Sequence, residues 1–78
     1  MDQKKFEALL ILIVPQVVHL IAEQYAIHEI EASKAFYESE VYVLLEEEET
    51  KLWHLSPQAL YHMFDEEKRT GRITFPEG

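Results

Sequence analysis

There is no cysteine among the 78 residues of this chain, which removes disulfide bridges, thiolate metal ligands, cysteine nucleophiles and lipid attachment through a thiol. Glycine occurs only at Gly71 and Gly78, so no glycine-rich loop exists to wrap a phosphate with backbone amides. Positive charge is scarce as well: seven Lys and Arg stand against fifteen Asp and Glu, for a formal net charge of -8. That field repels phosphate backbones and anionic lipid surfaces. The basic residues form no stripe, because Lys4 and Lys5 lie at one end and Lys68, Arg69 and Arg72 near the other. Neither nucleic acid nor a membrane is an expected partner. The charge requires no acidic-site function either, since a net charge away from zero keeps a small domain soluble.

Long hydrophobic runs are also missing. Residues 8–14 are apolar and follow Lys4 and Lys5 much as the core of a leader or anchor would. However, Glu7 adjoins the run, Pro15 and Gln16 interrupt it, and His19 and Glu23 arrive before about 20 apolar residues accumulate. Leu20 occupies the place where a cleavage site ahead of Ala22 would want a small residue. We therefore expect a cytoplasmic protein with neither span nor cleaved leader. What is present, 47% hydrophobic and 28% charged residues, is a globular mixture that fits one domain over 1–78. A chain this short buries only roughly 60% of its unfolded surface, so stability must come from helix packing or self-association.

Apolar residues recur at Phe6, Leu10, Ile13, Val14, Val17 and Ile21, the spacing of one helix face, and predict a helix over 6–25. Leu9 and Leu20 widen the stripe, and Ile11, Leu12 and Val18 spill beyond it. The helix is thus apolar around much of its girth, as suits a central element or a subunit interface. Pro15 lacks an amide donor and crowds the Ile11 carbonyl, but the stripe keeps its phase across it, which favours a kink over a break. A turn is expected near His28. Beyond it, Ile30, Tyr37, Val41, Leu44 and Leu45 are expected to share a face, with Ser39 and Glu40 as an N-cap and first-turn carboxylate that split the segment into two helices. The acidic run 46–49 should end the second of these, because carboxylates oppose the negative pole of the helix dipole.

Residues 50–55 read as an irregular or briefly extended link, with Trp53 packed inward. Ser56 and Pro57 are an N-cap and first-turn proline, Leu60, Met63 and Phe64 face inward, Lys68 and Arg69 suit the C-terminal pole, and Gly71 provides the left-handed stop. The tail over 73–76 should be extended, with Ile73 and Phe75 docking on the helices. The expected fold is all-α: a small bundle of four or five short helices, with a kinked first helix and an extended C-terminal tail.

Candidate chemistry is sparse. His28 and Glu29 begin like a zinc-protease helix, but Ala32 stands where the second histidine ligand belongs. His19 is four residues from Glu23, and His62 three from Asp65 and four from Glu66, pairings that acidic helices produce without any metal. Ser39 and Ser56 read as caps and Ser33 as a helix residue, which leaves no hydroxyl beside a base and an oxyanion site. No catalytic, cofactor-binding or metal-ligating residue is assigned. Phe36, Tyr37, Tyr42, Trp53, Tyr61 and Phe64 serve chiefly as core in a domain with little volume to fill, with Tyr42 or Tyr61 the best placed to anchor a partner.

The segments Ile13-Val14-Pro15, Phe36-Tyr37-Glu38-Ser39, Glu49-Thr50-Lys51-Leu52-Trp53-His54-Leu55-Ser56-Pro57 and Gly71-Arg72-Ile73-Thr74-Phe75-Pro76 together resemble a family of short, acidic, helical proteins of low-GC Gram-positive bacteria. The resemblance covers most of the chain and is most specific around Trp53 and the Ser-Pro start. It implies a cytoplasmic bacterial helical domain and carries no activity or functional residue. Glu31 departs from the Ser or Thr cap that the resemblance leads one to expect before the second helix. The functional expectation is a non-catalytic protein-interaction module, self-associating as a homodimer because of the surplus apolar surface on helix one. Two other classes compete with it. One is an acidic regulator that binds a specific protein partner, by neutralising a toxin or mimicking nucleic acid, and the other is a metal-binding enzyme.

Overall fold

The computed structural model describes residues 2–73, and within them every regular element is helical. Helix α1 spans Gln3–Tyr25, α2 Glu29–Tyr37, α3 Glu40–Glu46 and α4 Pro57–Thr70, with two 3-10 turns, Glu48–Thr50 and Leu52–His54, between α3 and α4. The bundle of four helices agrees with the fold expected from periodicity. Thr74, Phe75 and Pro76 of the expected extended tail lie outside the described residues.

At about 1.5 Å per residue, the 23 residues of α1 form a rod of roughly 35 Å, close to the longest dimension of the molecule, 36 Å. The helix begins three residues earlier than the apolar stripe, because Asp2 caps it and accepts a hydrogen bond from the Lys4 amide. It runs unbroken through Pro15. The carbonyl of Ile11, which loses its usual donor there, belongs to an exposed residue. Phe6, Ile13, Val14, Val17 and Ile21 are buried as the stripe predicts, joined by Val18 and Ala22, while Leu10 is half-buried.

Helix α1 stops because Ala26 takes the left-handed conformation (φ 55°), with its own amide and that of Ile27 returning to the Ala22 carbonyl. Helix α2 begins three residues after Ala26. His28 holds its N-cap position without a side-chain bond, and Glu29 and Glu31 in the first turn offset the exposed amides electrostatically. The split at Ser39 is present: its Oγ accepts from the Tyr42 amide and donates to the Phe36 carbonyl, so one buried hydroxyl closes α2 and opens α3.

That split breaks the phase assumed for Ile30 and Tyr37. They were expected to share a face with Val41 and Leu45, but α2 instead buries Ala32 and Phe36 and leaves Ile30 69% and Tyr37 49% exposed. The link at 50–55, expected to be irregular or briefly extended, takes the irregular alternative. Lys51 adopts a left-handed conformation (φ 59°) between two 3-10 turns. Thr50 Oγ1 donates to the Leu44 and Glu47 carbonyls, and Trp53 Nε1 donates to the Glu48 carbonyl at 2.9 Å. These bonds fold the link tightly enough to bury Leu52 and half-bury Trp53.

Helix α4 forms as its signals dictate. Ser56 Oγ accepts from the Ala59 amide, Leu60, Met63 and Phe64 are buried, and Gly71 closes the helix at φ 76°. Phe36 and Phe64, both fully buried, pack with ring centroids 6.1 Å apart and tie α2 to α4 at the centre of a single core.

Candidate functional site

The outward face of α1 leaves apolar side chains uncovered, and it arises from the surplus of apolar residues noted in the sequence. At about 100° per residue, Ala8, Ile11, Leu12 and Pro15 fall on the side opposite Val17 and the core. Ile11 is 71% and Leu12 65% exposed. Farther along the same side the character turns polar, with His19 and Glu23 exposed. Nearer the start, Lys4 and Lys5 are exposed. The face therefore reads basic, apolar, acidic from one end to the other.

Two shallow grooves flank it and meet at Pro15. One, about 520 Å³, runs between α1 and the start of α4 and is lined by Pro15, Gln16, His19, Leu20, Ser56, Pro57 and Gln58. The other, about 430 Å³, lies between α1 and α2 and is lined by Val14, Pro15, Val18, Glu29, Ile30, Ser33, Lys34 and Tyr37. The exposed Ile30 and Tyr37 extend apolar surface from α1 onto α2. Sequence periodicity had assigned both to the core, and only the break in phase at Ser39 reveals them as surface.

By length and composition α1 is the described helix apolar enough to cross a membrane, yet it is also the helix against which α2 and α4 pack. No protein-family model, curated protein or solved structure matches the chain. The site is therefore read from its own geometry.

His19 sits between two carboxylates, with Nε2 3.3 Å from Glu23 and Nδ1 3.3 Å from Glu29. The two oxygens approach opposite edges of the ring, an arrangement that links α1 to α2 but does not converge on one point. Among the described residues no group of three or more His, Asp or Glu gathers as a metal would require. His28 and His62 are exposed on separate elements. Four hydroxyls serve the backbone: Ser39 and Ser56 cap helices, Thr50 ties the 3-10 turns, and Thr70 donates to the Glu66 carbonyl.

Two long-range polar contacts hold the scaffold behind this face. The Tyr25 hydroxyl donates to Asp65 Oδ1 at 2.8 Å, and Asp65 Oδ2 lies 3.0 Å from Arg69 Nε. Burial first, and then the bond to the Asp65 carboxylate, push the Tyr25 phenol up to about 12. Tyr61 is raised by burial and by the same carboxylate, and Tyr42 by burial and by Glu46. Both of these half-buried tyrosines thus spend their hydroxyl ends near carboxylates of their own chain. The second contact is Glu67, whose two carboxylate oxygens accept from the Glu40 and Val41 amides at 3.0 and 3.1 Å.

Proposed function

We propose that this chain is a non-catalytic protein-interaction module that self-associates through the uncovered face of α1, in a cytoplasmic setting. The observation that carries the reading is the exposure of Ile11 and Leu12 beside Pro15 on the central helix of a very small domain. Burying an aliphatic side chain of this size is worth roughly 1.5–3 kcal/mol, so a water-exposed pair on a rigid helix favours any surface that covers it. The two grooves at Pro15 add relief into which side chains of a partner fit.

The acidic-mimic reading has less behind it. Mimicry of a phosphate backbone asks for carboxylates in a row, whereas Glu40 and Glu46 stand at opposite ends of α3 and about 120° apart around it. Sedimentation equilibrium tests the preferred reading: a concentration-dependent dimer is expected, and Leu12→Glu should return it to monomer with the helical circular dichroism intact. A strict monomer at high micromolar concentration refutes self-association.

A further inference from the structure

The order of charges along the uncovered face identifies the occupant and its direction. We propose that the face of α1 pairs with α1 of a second copy of this chain, antiparallel, so that the basic start of each helix lies against the acidic end of the other. The inference rests on the self-association proposed above and adds its geometry.

Three observations converge on it. Lys4 and Lys5 occupy the first turn of α1 and are exposed at the start of the uncovered face, with Asp2 spent on capping the helix through the Lys4 amide. Among the described residues neither lysine has a carboxylate partner. The last turn of α1 has no basic residue, and around it stand Glu23 and, from the start of α2, Glu29, both exposed and both within reach of His19. The two ends of the uncovered face therefore carry opposite charge. In an antiparallel pair the start of one α1 lies beside the end of the other, and the opposite charges of the two ends come together at both ends of the contact.

The register follows from the helix. With Leu12 of each copy over Pro15 of the other, Ala8 meets His19 and Lys4 meets Glu23, because each of these pairs sums to the same position number. Ala8 and Pro15 are short side chains that let the two rods approach, and Ile11 and Leu12 fill the space between them. Parallel pairing would instead set lysine against lysine and glutamate against glutamate. The apolar contact alone falls short of the roughly 800 Å² per partner typical of stable complexes, so the dimer should be in rapid exchange and sensitive to salt.

The absence of cysteine makes the test clean. Ala8→Cys and His19→Cys chains are mixed and oxidised, and the products separated by mass. The antiparallel pair yields the mixed Ala8→Cys/His19→Cys disulfide well in excess of the 1:2:1 ratio that random pairing of an equimolar mixture gives. Preferential linkage of Ala8→Cys to itself means a parallel pair, which overturns this inference and leaves self-association standing. A monomer, or a dimer indifferent to Leu12→Glu, overturns both. A second set of variants avoids new thiols: Lys4→Glu/Lys5→Glu should weaken the dimer roughly three- to ten-fold, as expected for a few exposed pairs. Adding Glu23→Lys to the same chain should restore it. If the triple variant remains as weak as the double, the assignment of lysine to Glu23 is wrong.

Discussion

Replacing Glu67 by alanine should unlatch α3. The seven residues of this helix are too few to stand alone in water, so its geometry depends on what holds its ends. Three of its first amides have named acceptors: Tyr42 bonds to Ser39 Oγ, while Glu40 and Val41 bond to the Glu67 carboxylate across the bundle from α4. The Glu40 amide is exposed and water replaces its partner at little cost, whereas the Val41 amide is partly buried and loses more. Together the two charge-assisted bonds should contribute about 1.5–2 kcal/mol. For a domain of this size that corresponds to a fall in melting temperature of roughly 6–15 °C. Glu67→Gln, which keeps one acceptor oxygen without the charge, should fall between the two. Thermal melting by circular dichroism gives the total, and amide hydrogen exchange locates it: the Glu40 and Val41 amides should lose protection before those of α1. A Glu67→Ala protein that melts within 2 °C of the parent, or that loses protection evenly, would show that these bonds merely replace equivalent ones to water.

The backbone of the two helix stops offers a contrasting pair. Ala26 holds φ 55° with its side chain exposed, so Ala26→Gly should raise stability by about 1 kcal/mol. Gly71→Ala, at φ 76° with nothing within 4 Å of the added methyl, should lower it by about the same amount through backbone strain alone. Equal signs for the two substitutions would contradict a left-handed origin. The Tyr25 phenol titrates near 12 in the folded chain against an ordinary value of 10.0. Its folded value is the higher one, so the associated stability is whole below the unfolded value and is lost as pH rises from about 10 through 12. Absorbance at 295 nm during alkaline titration should show a late step that Tyr25→Phe removes; if that variant leaves the curve's upper end unchanged, Tyr25 is not the phenol that titrates late.

Local chemistry was legible in the sequence to a considerable depth. Ser39, Ser56 with Pro57, and Gly71 each act on amides or dihedrals within three or four residues, and the helix boundaries they announce are where the chain turns. The buried stripe of α1 was readable for the same reason, since helical phase is carried by neighbouring residues and Pro15 does not disturb it. Ile30 and Tyr37 were misplaced because one serine resets the phase, and a periodicity argument carried across the reset points to the wrong side. The link at 50–55 was legible only as irregular or briefly extended, because its two turns depend on where Thr50 and Trp53 find acceptors.

Composition and local order by themselves determined an acidic, cysteine-free, all-helical chain whose first helix bears more apolar surface than so short a chain readily covers. Tertiary structure alone decided which part of that surface stays bare, and it made Tyr25 bind Asp65 and Glu67 hold the start of α3, partners 40 and 26–27 residues apart. Such pairs cannot be seen in a window of neighbouring residues, because what brings them together is the packing of α4 against α1 and α3 around Phe36 and Phe64.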